Sequence, residues 1–218
     1  MFGGQTAPSK KEGMLMKINI RIQELNYGDL AVLAMPVLHR AASRRTGAAA
    51  MMLEAWTQLP DHMIRSISET IPEETNREIL VESAAESRGR LTEYVNALLT
   101  KHRMGITVSE ITLNRQLEIT AKVKEIDYPC LVEKFLPEVR EKLLELGGMV
   151  KLLHPVIRKA SSQELCSLLD RFCSSQKEFL LPSLINQNQK ALVSRMETLA
   201  QNQGIRLKIE SVSMTCRI

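Results

Sequence analysis

An internal repeat is the feature of this sequence that most limits its fold. The run INIRIQELNY at positions 18–27 returns as ITAKVKEIDY at 119–128, 101 residues further along the chain. The same spacing relates Pro36 to Pro137. Two segments that share a pattern are expected to share a fold, so this repeat constrains the architecture more than any local propensity does.

Both copies of the run alternate apolar and polar residues, which predicts half-buried strands over 17–25 and 117–126. Each strand stops at an Asx residue, Asn26 or Asp127, whose side chain can cap a following helix. We expect the tyrosine that follows each cap to anchor this strand-to-helix junction in the interior rather than to touch a ligand.

Helices fill the middle of each half. Pro36 and Pro137 predict a kink or a break at the same place in the first helix of both halves. Later in the two halves, Asp61 and either Ser161 or Ser162 are typical N-caps of further helices, which carry apolar stripes at helical spacing.

Each half closes with a glycine and a second strand. Gly105 precedes ITVSEITL, and Gly204 precedes IRLKIESVSM. Matching the two glycines lowers the offset to 99, which implies that two residues were lost in the helix-to-strand turn, where deletions are well tolerated. Asn114 and Arg115 join the strand at 106–113 to the next strand, and so short a connection predicts an antiparallel hairpin.

These patterns predict an α+β protein that is a tandem duplication of a strand-helices-strand unit. The four strands are expected to form one antiparallel sheet, with the helices mainly on its apolar face and a helix-rich chain overall. We assign the two repeat units to 14–114 and 115–218, after a polar N-terminal tail at 1–13.

Composition favours an ordinary globular protein in the cytoplasm. The chain has 218 residues, of which 44% are hydrophobic, and its longest apolar runs are shorter than the ~20 residues of a membrane-spanning helix. Its N-terminus has no apolar stretch typical of a secretory signal. All four cysteines lie in the second half, which favours reduced thiols over a disulfide framework common to both units.

No catalytic, cofactor-binding or metal-binding residues are predicted. The glycine spacings of phosphate-binding loops do not occur, and the four histidines are scattered along the chain. Cys166 and Cys173 share a helix face and could supply two metal ligands, but we favour a buried stripe that uses cysteine. No serine or cysteine has the sequence setting of a nucleophile.

Basic residues are the only candidates for partner contacts. The net charge is a mild +4, from 29 basic and 25 acidic residues. One basic cluster lies near the end of the first long helix, and a second set is expected on the polar face of the sheet. These residues are Arg40, Arg44 and Arg45 in the helix cluster, and Lys122, Lys124, Arg206 and Lys208 on the sheet.

Three functional hypotheses follow, in order of preference. The first is a non-enzymatic cytoplasmic interaction or scaffold module that binds a protein partner, or a second copy of itself, through the open sheet face or a sheet edge. The second is a nucleic-acid-binding protein that uses a basic sheet face, although few aromatic residues are available to stack on bases. The third is an enzyme with a pocket between two lobes.

Overall fold

A computed structural model describes residues 15–42, 54–55, 58–145, 148–172 and 174–217. The predicted tail at 1–13 lies outside these residues. Four strands are formed, and they match the four that the alternating pattern predicted. Their bounds are Leu15–Leu25 (β1), Ile106–Leu113 (β2), Glu118–Ile126 (β3) and Leu207–Arg217 (β4).

Ten α-helices and one 3₁₀ helix lie between the strands in the described residues. In the first half they are Tyr27–Ala42 (α1), Asp61–Thr70 (α2), Glu73–Glu86 (α3) and Arg88–Lys101 (α4). In the second half they are Tyr128–Lys134 (α5), Leu136–Glu145 (α6), the 3₁₀ helix Gly148–Leu153, His154–Ile157 (α7), Ser162–Phe172 (α8), Ser174–Gln187 (α9) and Gln189–Asn202 (α10). The chain is therefore α+β, as predicted.

The four strands form one antiparallel sheet in the order β2-β3-β1-β4. The predicted hairpin is present, and it supplies one edge strand and one central strand. With helices between β1 and β2 and between β3 and β4, this order is that of ferredoxin-like sheets, which are built from two split βαβ units.

The centre of the sheet relates the two halves directly. β1 pairs with β3 so that Asn19 faces Thr120, and these two residues are separated by the repeat spacing of 101. On either side of this pair, the register places Ile18 opposite Ala121 and Ile20 opposite Ile119. This register is the one that a pseudo-twofold axis through the Asn19 and Thr120 pair produces. Descent of the two halves from one duplicated unit stays a prediction.

Among the described residues, the hydrophobic core belongs mainly to the second half. Helices α5, α6, α8 and α9 contribute most of its buried side chains, the segment 150–160 contributes three more, and β1, β2 and β4 contribute one each. Of the largest fully buried side chains described, the first half supplies only Ile64. The least exposed core members of the second half are Leu131, Val132, Val139, Ile157, Leu165, Leu169 and Leu181.

Both predicted Asx caps are confirmed. Asn26 accepts a hydrogen bond from the Asp29 amide at 2.8 Å, and Asp127 accepts one from the Cys130 amide at 3.1 Å. Of the two tyrosines at these junctions, Tyr128 packs against the core and is half-buried.

The two-residue deletion inferred from the glycines is wrong. Strand pairing places Ile106 opposite Ile126 and Leu207 opposite Leu25, so the offset is still 101 in the closing strands. With this offset, the left-handed Gly204, with φ 79°, corresponds to Arg103, which is also left-handed with φ 48°. Gly105, with φ 64°, is a second left-handed residue of the first half and corresponds to Arg206. Gly204 therefore matches Arg103 instead of Gly105.

The interruption expected at the prolines is present in the second half, where the helix stops at Phe135, two residues before Pro137. In the first half, helix α1 continues through position 36 without a break. A proline removes one amide donor, and a helix can continue past it with a local kink. The expected cap at Asp61 is wrong. Asp61 is the first residue of α2, where Pro60 occupies the cap position. Ser161, by contrast, forms a reciprocal capping box with Glu164.

Candidate interaction surfaces

The sheet presents a polar face on the side away from the core. Strand alternation buries Met16, Ala121, Val212 and Met214 on one side and turns their neighbours to the other. We call this second side the open face. It carries Lys17, Asn19, Arg21, Thr120, Lys122, Lys124, Ser213 and Thr215.

Short polar side chains at the centre of the open face are bonded to one another across three strands. The Thr120 hydroxyl donates to Asn19 Oδ1 at 3.2 Å, and Asn19 Nδ2 donates to Thr215 Oγ1 at 3.4 Å. Because these groups hold one another, they present a pre-ordered polar surface.

Carboxylates accompany the cations of the open face. Lys122 bonds to Glu110, which also accepts from Arg88 at 2.9 Å. Lys122 and then Arg88 hold the pKa of the Glu110 carboxyl below its usual value. Arg21 lies 3.7 Å from Glu210. The face is therefore of mixed charge rather than basic, because register brings these carboxylates beside the cations.

The four predicted sheet-face cations have different surroundings. Lys122 is paired as described, and Lys208, near the start of β4, lies 3.7 Å from Glu24. Lys124 is exposed and has no carboxylate within ion-pair distance in the described part of the chain. Arg206 lies just before β4, and its guanidinium is directed to a carboxylate at the start of α1 instead of to the open face.

That carboxylate, Asp29, is the most buried charged side chain described, at 3% exposure. It accepts from Arg206 through the amide at 3.1 Å, Nε at 2.7 Å and Nη2 at 3.2 Å, and from Arg65 Nε at 3.0 Å. Chiefly because of the Arg206 hydrogen bond, the pKa of Asp29 falls from 3.8 to about 2, and the pKa of Arg206 is raised. The cluster joins α1, α2 and β4, and its charges are satisfied within the protein.

The helix cluster of cations falls largely outside the described residues. Arg40 lies near the end of α1 by its backbone, and nothing is described of its side chain. Arg44 and Arg45 are not among the described residues. The structure therefore does not bring the two predicted basic sets together or separate them.

Helix side chains form hydrogen bonds with the backbone of both edge strands. On β2, the Asn96 side chain accepts from the Val108 amide at 2.8 Å and donates to its carbonyl at 2.9 Å. On β4, Asn186 makes the same pair of bonds with Met214, at 2.9 and 3.3 Å. Each amide bonds the N–H and C=O of one edge residue, so these two positions are not free to pair with a further strand. Sequence reasoning missed both asparagines because nothing local distinguishes them.

The outer surface of α3 and α4 was also missed. Neither helix contains a buried residue. Ile79 is 52% exposed, and Tyr94 is 62% exposed. These two exposed side chains are therefore candidates for contact with a partner.

The described residues show no assembled metal site. No three histidine, cysteine or acidic side chains converge there as metal ligands. A depression of about 370 Å³ lies at the end of the β1 and β4 pair, lined by Glu24, Leu25, Asn26, Arg206, Leu207 and Lys208. Its charged groups are already paired. The enzyme alternative stays a prediction.

Two further findings concern membrane-spanning helices and similarity to known proteins. Over the described ranges, no helix combines the length and the apolar character needed to cross a bilayer. Comparison with protein-family models, with curated proteins and with solved structures finds no match.

Proposed function

We propose that this chain is a non-enzymatic interaction or scaffold module that binds a protein partner through the open face of its sheet. The observation that carries the proposal is the polar ladder of Thr120, Asn19 and Thr215 across three strands. Short side chains that are already held by one another lose little conformational freedom when a partner covers them.

The charges of the open face favour a protein over a nucleic acid as the partner. Lys122 and Arg21 each have a carboxylate neighbour, so a polyanion would meet negative as well as positive groups. The four strands contain no aromatic residue on which a base could stack. A surface of alternating sign instead complements a protein surface of alternating sign.

A cytoplasmic location belongs to the same proposal. It is supported by Cys130, Cys166 and Cys216, which are half-buried and not joined in disulfides. Cys173 lies outside the described residues.

The test replaces Thr120 by arginine, which places a long charged side chain at the centre of the open face. Thr198→Arg, at an exposed position of α10, introduces the same side chain away from the sheet. Wild type and both variants are immobilised and exposed to extract of the source cells, and retained proteins are quantified. We expect a protein that wild type and Thr198→Arg retain and that Thr120→Arg loses. Equal retention by all three would overturn the proposal.

A parallel measurement addresses the nucleic-acid alternative. Binding of labelled single-stranded and duplex oligonucleotides is followed between about 50 and about 200 mM salt. Affinity that falls steeply with salt, and is lost when Lys122, Lys124 and Lys208 are neutralised together, would replace the protein-partner proposal. Absent or salt-insensitive oligonucleotide binding would support the protein-partner proposal.

A further inference from the structure

Helices α3 and α4 follow one another with only Ser87 between them, and we call residues 73–101 the rod. The Ser87 amide donates to the Ser83 carbonyl at 3.0 Å, and the Leu91 amide donates to the Ser87 carbonyl at 3.0 Å, so the last bond of α3 and the first bond of α4 meet at this residue. At 1.5 Å per residue the two helices have a combined length of about 42 Å. The rod lies along the edge strand β2, where Asn96 is bonded.

Charge is divided between the two ends of this rod. Helix α3 contains five glutamates and one arginine, whereas α4 contains three basic residues and one glutamate. Glu82, Glu86, Arg90 and Lys101 have no ion-pair partner in the described part of the chain. The first half of the rod is thus acidic and the second half basic, with unneutralised groups in both.

One exposed stripe runs the length of the rod. Within each helix, successive members are three or four residues apart, which keeps them on one side of that helix. The stripe is exposed throughout and consists of Thr75, Ile79, Ser83, Glu86, Arg90, Tyr94, Ala97 and Lys101. We call it the outer stripe.

We propose that the outer stripe binds the same stripe of a second copy of this chain, with the two helices antiparallel. An antiparallel pair places the acidic half of one helix over the basic half of the other. Centred near position 88, it sets Glu86 against Arg90 of the second copy, and Ile79 against Ala97. Twofold symmetry repeats each contact, so one favourable pair occurs twice.

The stripe complements itself better than it complements an arbitrary partner. In the same register, Tyr94 lies over Glu82 and Ser83 of the second copy, where its hydroxyl can donate to a carboxylate. Thr75 lies over Lys101 at each end. A parallel arrangement would instead bring the glutamates of two α3 helices together.

This inference names one partner for the interaction module proposed above and uses a separate surface. The test is sedimentation velocity on the full chain over a concentration series, at about 50 and about 200 mM salt. We expect a dimer that weakens as salt rises. Arg90→Glu introduces repulsion at two symmetric places and should raise the dimer Kd by about tenfold or more.

A charge exchange tests the register. Glu86→Arg alone should weaken the dimer as Arg90→Glu does, and the double variant Glu86→Arg with Arg90→Glu should restore it. Lys159→Glu, at an exposed position of the second half, is the matched control and should leave the dimer unchanged. Tyr94→Ser should weaken association, and Leu152→Ser, at a residue 80% exposed, should not.

The outcomes separate this proposal from the one on the open face. A monomer at every concentration, or a dimer indifferent to Arg90→Glu, would overturn self-association through the outer stripe. Failure of the double variant to recover would refute the antiparallel register. Thr120→Arg should dimerise as wild type does, and a dimer lost only in that variant would transfer self-association to the open face. Far-UV circular dichroism confirms that each variant is folded.

Discussion

Replacing Asp29 by asparagine should destabilise the fold more than any other single charge removal among the described residues. Asp29 is 3% exposed and accepts four hydrogen bonds from Arg206 and Arg65. Asparagine has nearly the same volume as aspartate, but an NH₂ group, which cannot accept hydrogen bonds, replaces one of the two carboxylate oxygens. The Arg206 and Arg65 donors would then lose their acceptor beside a buried side chain, where unmade hydrogen bonds are most costly.

The magnitude follows from the pKa of Asp29, which the Arg206 hydrogen bond lowers from 3.8 to about 2. Each pKa unit corresponds to about 1.4 kcal/mol, so the ionised form contributes about 2 kcal/mol to stability. The Arg206 side chain is 66% exposed, and water screening reduces this value. We therefore expect Asp29→Asn to lose about 1 to 2 kcal/mol at pH 7.

The pH dependence has a definite sign. Because folding lowers the pKa of Asp29, its contribution is fully present above the unfolded pKa, near 3.9, and is lost as pH falls through about 2. The measurement is urea unfolding of wild type and Asp29→Asn across this range, with m-values checked for two-state behaviour. The difference in unfolding free energy should shrink between about pH 4 and pH 2.

A matched control is Glu24→Gln, because Glu24 is 69% exposed and 3.7 Å from Lys208. An exposed pair of this kind should contribute less than about 0.5 kcal/mol. If Asp29→Asn costs no more than Glu24→Gln at neutral pH, or costs the same at low pH as at neutral pH, the reasoning about the buried carboxylate is refuted.

Two other substitutions test the packing of the sheet against its helices. Asn96→Ala should cost about 1 to 3 kcal/mol in chemical unfolding, because it removes both bonds to Val108, and it should increase aggregation by exposing the β2 edge. Gly105→Ala should cost more than about 1 kcal/mol, since its φ is +64° and an added Cβ would lie 2.7 Å from the Asp127 carbonyl oxygen. Gly89→Ala, with nothing within 4 Å, should be neutral or stabilising in the same assay.

Local signals in the sequence were sufficient for the strands and their junctions. Alternation identifies which residues of β1 and β3 face the core, because a strand has a side-chain period of two. The caps at Asn26 and Asp127 are likewise local, since each bonds an amide three residues later. The hairpin at Asn114 follows from the length of its connection alone.

Features that depend on distant neighbours were not accessible in this way. Asp29 and Arg206 are 177 residues apart, and neither belongs to a recognisable motif. Alternation placed Lys122 on the polar face correctly, but register decides that Glu110 lies beside it. The glycine match failed for a similar reason. Arg103 adopts the left-handed conformation that is usually found at glycine, so the glycines do not mark equivalent positions.

The two halves stabilise one equivalent strand-to-helix junction in different ways. Asp29 and Arg206 correspond, 101 residues apart, to Cys130 and Gly105. In the second half the glycine allows a backbone approach so close that a Cβ would contact the Asp127 carbonyl oxygen at 2.7 Å, and the surrounding helices bury the main core. In the first half, the ion pair of Asp29 with Arg206 occupies the equivalent place. The same junction is therefore held by a close backbone contact in one half and by charge in the other. Gly105→Ala and Asp29→Asn accordingly disrupt equivalent junctions by different physical means.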